Sequence, residues 1–114
     1  MGGSNYYNTG MVDAKIIETA EKFIRLIPAE LAVKKSFLFG SYAKETERED
    51  SDIDIALVLG NMPDFFEAQI QLRKLRRAID LRIEPHPIRE SDFNSQHPFA
   101  FEIQNTGIEL MLGM

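Results

Sequence analysis

The chain has 114 residues and a formal net charge of -5, which allows one domain with a modest core and leaves no room for two. The acidic balance argues against a general nucleic-acid binder, which is usually basic, although a nucleotide can still bind at one site. There is no cysteine and no apolar run near the roughly 18 residues that a membrane span needs. Disulfides and thiolate metal sites are therefore excluded, and we expect a cytoplasmic protein without a membrane partner.

The chain is predicted to begin with a tail and a helix. Residues 1–10, MGGSNYYNTG, are rich in glycine, serine and asparagine, so we expect a flexible tail there and one folded domain over residues 11–114. Apolar residues recur at spacings of three and four over residues 12–26, which predicts an amphipathic helix. Pro28 ends this helix or begins a separate short turn.

Two apolar runs predict two strands of one sheet. Residues 36–39 form a short apolar run that stops at Gly40, a residue that permits a tight turn, and residues 41–44 can start a short helix after it. Residues 45–51 are mostly charged and should be exposed. Residues 52–59 form the second strand, and its near-continuous apolar run after Asp54 predicts a central position in the sheet.

A second helix is predicted after Asp64, which forms a capping box with Glu67 three residues later. Its apolar stripe consists of Phe65, Ala68, Leu72, Leu75 and Ile79. The basic cluster at residues 73–77 suits the C-terminal end of a helix. It is typical of a solvated helix end or, alternatively, of a docking patch.

Residues 79–88 alternate in polarity, which predicts a third strand. Leu81 and Ile83 share one face, and the opposite face carries Asp80, Arg82, Glu84 and His86. Pro85 and Pro87 indicate that the far end of this strand lies at a sheet edge or has left the ladder.

A last helix is predicted from Pro98 to about residue 105, with Gly107 as its C-terminal stop. Residues 108–112 can form a short final strand. The predicted elements make a small sheet covered by helices. His86 and His97 are too isolated in the sequence to be assigned as metal ligands.

Gly40 and Ser41 form a candidate phosphate-binding turn. A glycine between a strand and a helix start lets the backbone approach a ligand closely, and the free N–H groups there favour an anion. The Ser41 hydroxyl adds a donor. A Gly-Ser pair after a strand is more often an ordinary turn, so this signal is weak when it stands alone.

Asp52 and Asp54 form a candidate metal site. Residues two apart on a strand point to the same face, and two carboxylates there repel each other unless a cation or a proton lies between them. Magnesium is the fitting cation, because it prefers oxygen ligands and bridges to substrate phosphates. The alternative is a solvated Asp54 with Asp52 capping a turn.

Together these motifs resemble those of a known family. The stretch GSYAKETEREDSDIDIALV is similar to the G-S and D-x-D signature of the DNA polymerase β-like nucleotidyltransferase superfamily, and the short length is most similar to its minimal nucleotidyltransferases. The resemblance implies an α+β fold with a small mixed sheet flanked by helices. It also implies Mg²⁺, with two ions, at Asp52 and Asp54, and ATP or another NTP whose phosphates meet Gly40 and Ser41. Such enzymes transfer a nucleoside monophosphate to a hydroxyl and release pyrophosphate.

The resemblance implies a third carboxylate on a neighbouring strand, as a metal ligand and as the acceptor of the proton from the attacking hydroxyl. Asp80 fits the family position slightly better than Glu84, and the choice stays open. Arg82 either neutralises phosphate charge or forms a salt bridge with one of these acids. Lys44 and Arg48 flank the turn as candidate substrate contacts, or as solvated cations.

The acceptor is expected to come from another molecule, because the chain has no obvious second domain. The family implies a helical HEPN-type partner protein and an antitoxin role in a HEPN/MNT toxin–antitoxin pair. Two alternatives remain: an enzyme that modifies a small molecule such as an antibiotic, and a non-catalytic nucleotide- or partner-binding module.

Overall fold

The computed structural model describes residues 13–43 and 51–110. Some predicted features lie outside these ranges. They are the expected tail at 1–10, Val12 of the first predicted helix, most of the charged segment 45–51, the candidate contacts Lys44 and Arg48, and residues 111–112 of the last predicted strand. The helices are α1 (Ala14–Leu26), α2 (Phe65–Leu75) and α3 (Pro98–Thr106), and the strands are β1 (Val33–Phe39), β2 (Ile53–Leu59), β3 (Ile83–Arg89) and β4 (Ile108–Glu109). Short 3₁₀ turns occupy Ala29–Leu31, Arg76–Ala78 and Glu90–Asp92.

The four strands form one mixed sheet in the order β3-β2-β1-β4. β1 pairs antiparallel with both β2 and β4, whereas β2 and β3 are parallel. The predicted α+β fold is therefore confirmed, and so is the central place of β2. The parallel pair requires a crossover between its strands, which α2 supplies.

Alternate residues of β2 face two separate hydrophobic clusters. Ile55 and Leu57 belong to the cluster that α1 and α2 cover. Ala56 and Val58 belong to the cluster beneath α3. The sheet is thus covered on both faces, which explains why β2 is apolar at consecutive positions. Asp54 lies on the α3 side of the sheet, since it is two residues from Ala56.

The helix ends follow the predicted chemistry. The Asp64 carboxylate accepts a hydrogen bond from the Glu67 backbone N–H at 3.1 Å, as an N-cap does. α3 has Pro98 in its first turn, and the Gly107 N–H closes it onto the Ile103 carbonyl at 2.7 Å. Phe65, the first residue of the predicted apolar stripe, is 43% exposed at the start of α2.

The third strand starts later than its polarity pattern indicates. β3 begins at Ile83, opposite the first residue of β2, Ile53, and a turn precedes it. Leu81, predicted to share the face of Ile83, is instead 69% exposed in that turn. Likewise, residues 41–43 form a turn, and no helix occurs there in the part that the structure describes.

The two prolines of β3 fit its place at the edge of the sheet. The carbonyls of Ile83 and Pro85 accept hydrogen bonds from Arg76 at 2.9 Å and Gln69 at 3.1 Å, both from the α2 side. These positions therefore face away from β2, and a proline there removes no ladder hydrogen bond. Across residues 13–43 and 51–110, none of the helices is long and apolar enough to cross a membrane.

Candidate active site

Gly40 directly follows β1 in a conformation that disfavours residues with a side chain. Its φ is +73°, in the left-handed region that glycine adopts without penalty. A Cβ atom at this position would lie 2.4 Å from Asp54 Oδ2. The antiparallel register explains this closeness, since Asp54 pairs with Phe39, the residue before Gly40. The predicted turn and one predicted metal-site carboxylate are therefore in direct contact.

Asp52 and Asp54 flank the first residue of β2. Asp52 is exposed just before the strand, and Asp54 is half-buried near its start. Asp54 Oδ1 lies 3.0 Å from His86 Nε2. Its other oxygen lies against Gly40. The structure thus places Gly40 and Asp54 together, and Asp52, two residues before Asp54, is open to solvent.

Glu84 is the acidic residue that the sheet places next to Asp54. The two residues are paired in the parallel register of β2 and β3, and paired Cα atoms on adjacent strands are roughly 4.8 Å apart. The Glu84 carboxylate forms ion pairs with Arg73 and Arg76 of the segment that precedes β3. Two arginines of the basic cluster at residues 73–77 are therefore engaged in ion pairs within the chain, which the sequence did not indicate.

Asp80 lies outside the strand and pairs with Arg82. Its carboxylate accepts from the Arg82 backbone N–H at 2.9 Å, from Nε at 3.1 Å and from Nη2 at 2.8 Å. These hydrogen bonds hold the pKa of Asp80 below its ordinary value of 3.8 and raise that of Arg82, against a smaller opposing effect of burial. Arg82 Nη1 also donates to the Tyr42 hydroxyl at 3.2 Å. Of the two roles predicted for Arg82, the structure shows the salt bridge.

His86 contacts a candidate site residue, Asp54, a contact that sequence reasoning did not predict. Its position two residues after Glu84 on an alternating strand already placed it on the acidic face. Its contact with Asp54, however, depends on the register of two strands, and the two residues are 32 positions apart in the chain. Lys44 and Arg48 fall outside the described residues, and their predicted contacts remain predictions.

Residues 21–112 match the family model described as polymerase beta, nucleotidyltransferase. The chain belongs to this nucleotidyltransferase family. A relative in Methanocaldococcus jannaschii, provisionally named protein adenylyltransferase MJ0141, is 31% identical over 101 residues, which cover 84% of this chain and 99% of the relative. A second from the same organism, provisionally named protein adenylyltransferase MJ1379, is 32% identical over 73 residues, or 62% of this chain and 73% of the relative. The chain is thus an enzyme of the minimal nucleotidyltransferase type.

Solved structures show the same fold. A chain from a crystal structure of a toxin–antitoxin with AMP-PNP aligns with a TM-score of 0.60 and 26% identity, over 83% of this chain and 72% of that chain. A chain from a crystal structure of a mutant of the toxin–antitoxin MntA-HpeT aligns with a TM-score of 0.57 and 26% identity, over 82% and 70%. The mixed sheet and its covering helices are therefore those of polymerase beta-type nucleotidyltransferases.

The nucleotidyltransferase family implies a divalent cation, and the residues present fit one. Mg²⁺ is usually held by one or two carboxylates together with substrate phosphates and water. Asp54 supplies a carboxylate beside the glycine turn, where only a residue without Cβ leaves room for its Oδ2, and Asp52 precedes it by two residues in the chain. Within the described ranges no three acidic or histidine side chains converge as ligands, so an all-protein cage is not formed there.

Proposed function

We propose that this nucleotidyltransferase transfers a nucleoside monophosphate from an NTP, with ATP as the donor, to a hydroxyl of a partner protein. The reaction forms a phosphodiester bond between the α-phosphate and the acceptor oxygen, and the bond to pyrophosphate breaks. The observation that carries the proposal is the contact between Gly40 and Asp54. It brings a backbone turn suited to phosphate and a carboxylate suited to a cation within one ligand's reach.

Each side of this contact has a separate task. On the turn, the glycine lets the backbone approach the triphosphate closely, and Ser41 follows as a hydroxyl donor. On β2, Asp52 and Asp54 would hold Mg²⁺. When bound, Mg²⁺ supplies positive charge that offsets the charge developing on the phosphates. Lys44 and Arg48, which follow the turn in the sequence, are proposed as further phosphate contacts.

Glu84 is proposed as the third carboxylate in preference to Asp80. Its support is the strand register, which pairs Glu84 with Asp54, whereas Asp80 precedes β3 and accepts three hydrogen bonds from Arg82. In this proposal the Glu84 carboxylate, which pairs with Arg73 and Arg76, accepts the proton of the attacking hydroxyl. Asp80 then has a different role: it fixes Arg82, which in turn reaches Tyr42 beside the phosphate turn.

The relatives support a protein as the acceptor and ATP as the donor. The two Methanocaldococcus jannaschii proteins carry the provisional name protein adenylyltransferase. The solved chains come from toxin–antitoxin structures, one of them with the ATP analogue AMP-PNP. We propose accordingly that this chain is the antitoxin of a HEPN/MNT pair and that a helical HEPN-type toxin supplies the hydroxyl.

A transfer assay tests the proposal. The chain is co-expressed with its HEPN-type partner, purified, and incubated with Mg²⁺ and ATP labelled in the α-phosphate. We expect the label to appear on the partner and to be lost in Asp54→Asn. Tight binding of the partner without any transfer, unchanged in Asp54→Asn, would show that the fold acts here as a binding module.

A further inference from the structure

His86 contacts the carboxylate on which the proposed site depends. His86 Nε2 lies 3.0 Å from Asp54 Oδ1. A carboxylate oxygen accepts hydrogen bonds, so the His86 tautomer that carries its hydrogen on Nε2 is the one that makes this contact a hydrogen bond. The histidine therefore acts as a donor that fixes one Asp54 oxygen while the other faces Gly40.

The ring of His86 is held by aromatic neighbours. The Phe39 ring meets it edge-on with the centroids 5.0 Å apart, and the Phe99 ring lies 6.1 Å away. Phe39 comes from the end of β1 and Phe99 from α3, so two different elements set the plane of the imidazole. A side chain that only filled space would not need its nitrogen aimed at a carboxylate.

We propose that His86 is a positioning residue for Asp54, which it orients toward a cation bound at the glycine turn. This inference rests on the proposed function of the site. Carboxylates that bind metals are commonly fixed by a hydrogen bond from a neighbouring group, and loss of that group lowers metal affinity by about tenfold to a hundredfold. The His86 side chain is 35% exposed and that of Asp54 is 22% exposed, so both can be reached from solvent.

Two substitutions separate the hydrogen bond from the packing. His86→Phe keeps an aromatic ring between Phe39 and Phe99 but has no donor. His86→Gln loses the ring but keeps an N–H donor at a similar reach from the backbone. If His86→Phe does not fold, as judged by its thermal unfolding, His86→Leu replaces it as the variant without a donor.

The readout is the binding of Mn²⁺, as a spectroscopic probe of the cation site, in the presence of a non-hydrolysable ATP analogue. We expect His86→Phe to weaken Mn²⁺ binding by about tenfold or more, and His86→Gln to restore most of the affinity. Nucleotide binding measured without metal should change little in either variant, because His86 contacts the Asp54 carboxylate and is not one of the proposed phosphate contacts at Gly40 and Ser41.

The outcomes for His86 and for the site itself are distinguishable. If Asp54→Asn abolishes Mn²⁺ binding but both His86 variants bind like the parent chain, the positioning role is overturned and the site stands. Mn²⁺ binding that is retained in His86→Phe and lost in His86→Gln would assign the effect to the ring and not to the donor, and this too overturns it. Unchanged Mn²⁺ binding in Asp54→Asn would overturn the proposed metal site together with the role of His86.

Discussion

The Asp54 carboxylate occupies the space that a side chain at position 40 would need. A Cβ atom on Gly40 would lie 2.4 Å from Asp54 Oδ2 and 3.2 Å from the carboxyl carbon. The positive φ therefore favours glycine at this position, and the neighbouring Asp54 carboxylate independently leaves no room for a Cβ atom. Gly40 follows β1 and Asp54 lies in β2, so this contact brings the G-S motif and the D-x-D motif together across the two strands.

Gly40→Ala should damage the site more than the fold. The left-handed backbone with a Cβ atom costs about 1–2 kcal/mol of stability, and Asp54 must move to avoid the new atom. We expect a folded chain with strongly reduced transfer, measured as labelled product per folded molecule. Gly60→Ala is the matched control, because its Cβ would meet chiefly the flexible end of Lys34, and it should retain transfer. Full activity of Gly40→Ala would contradict the proposed turn.

Asp52→Asn and Asp54→Asn should each reduce transfer by at least about a hundredfold, the scale on which loss of one charge-stabilising group acts at a reacting centre. The substitution keeps the size of the side chain and removes its charge, so stability should change little. The check is the initial rate of transfer at saturating ATP, together with thermal unfolding. Normal rates in both variants would exclude a role for these carboxylates in holding a cation.

Glu84→Gln and Asp80→Asn decide which acid completes the site. Because Glu84 is paired with Asp54 across the strands, we expect Glu84→Gln to lose transfer to a similar degree as Asp54→Asn. Asp80→Asn should retain most of its rate. The reverse result would assign the third carboxylate to Asp80 and would require Arg82 to release it when substrate binds.

Asp80 should also contribute to the dependence of stability on pH. Since its hydrogen bonds with Arg82 lower its pKa in the folded state from the ordinary 3.8, the unfolded chain binds more protons around and below that value. The contribution is present above pH 3.8 and is lost as the pH falls through the folded pKa. It should amount to less than about 1 kcal/mol, because the Arg82 side chain is 40% exposed and its charge is screened by solvent.

Urea titrations at a series of pH values measure this contribution. The free energy of unfolding of the parent chain should fall more steeply below about pH 4 than that of Asp80→Asn, whose side chain does not titrate. Identical slopes in the two chains would show that the ion pair adds nothing to stability.

The elements with a local signal were predictable from the sequence. The spacing of apolar residues placed α1, the cap at Asp64 placed α2, and Pro98 with Gly107 bounded α3. The start of β3 was not predictable in this way. Polar and apolar residues already alternate over residues 79–82, but strand pairing begins only at Ile83, where β2 offers Ile53 as a partner.

The side-chain partners within the site also depend on tertiary structure. Glu84 and His86 were visible as polar positions on a strand, but no sequence pattern states which residue of β2 each one faces. The ion pairs of Arg73 and Arg76 with Glu84 arise from the way α2 packs beside β3. A helix end that is basic in sequence is interpreted as solvated until that packing is known.

The most direct test of nucleotidyl transfer is the intact mass of the partner protein after incubation with this chain, ATP and Mg²⁺. We expect the partner to gain the mass of one or more adenylyl groups, with label from α-labelled ATP on the protein and label from γ-labelled ATP in pyrophosphate. No gain should occur with Asp54→Asn. A partner of unchanged mass, or one that carries the γ-label, would contradict adenylyl transfer to a protein hydroxyl.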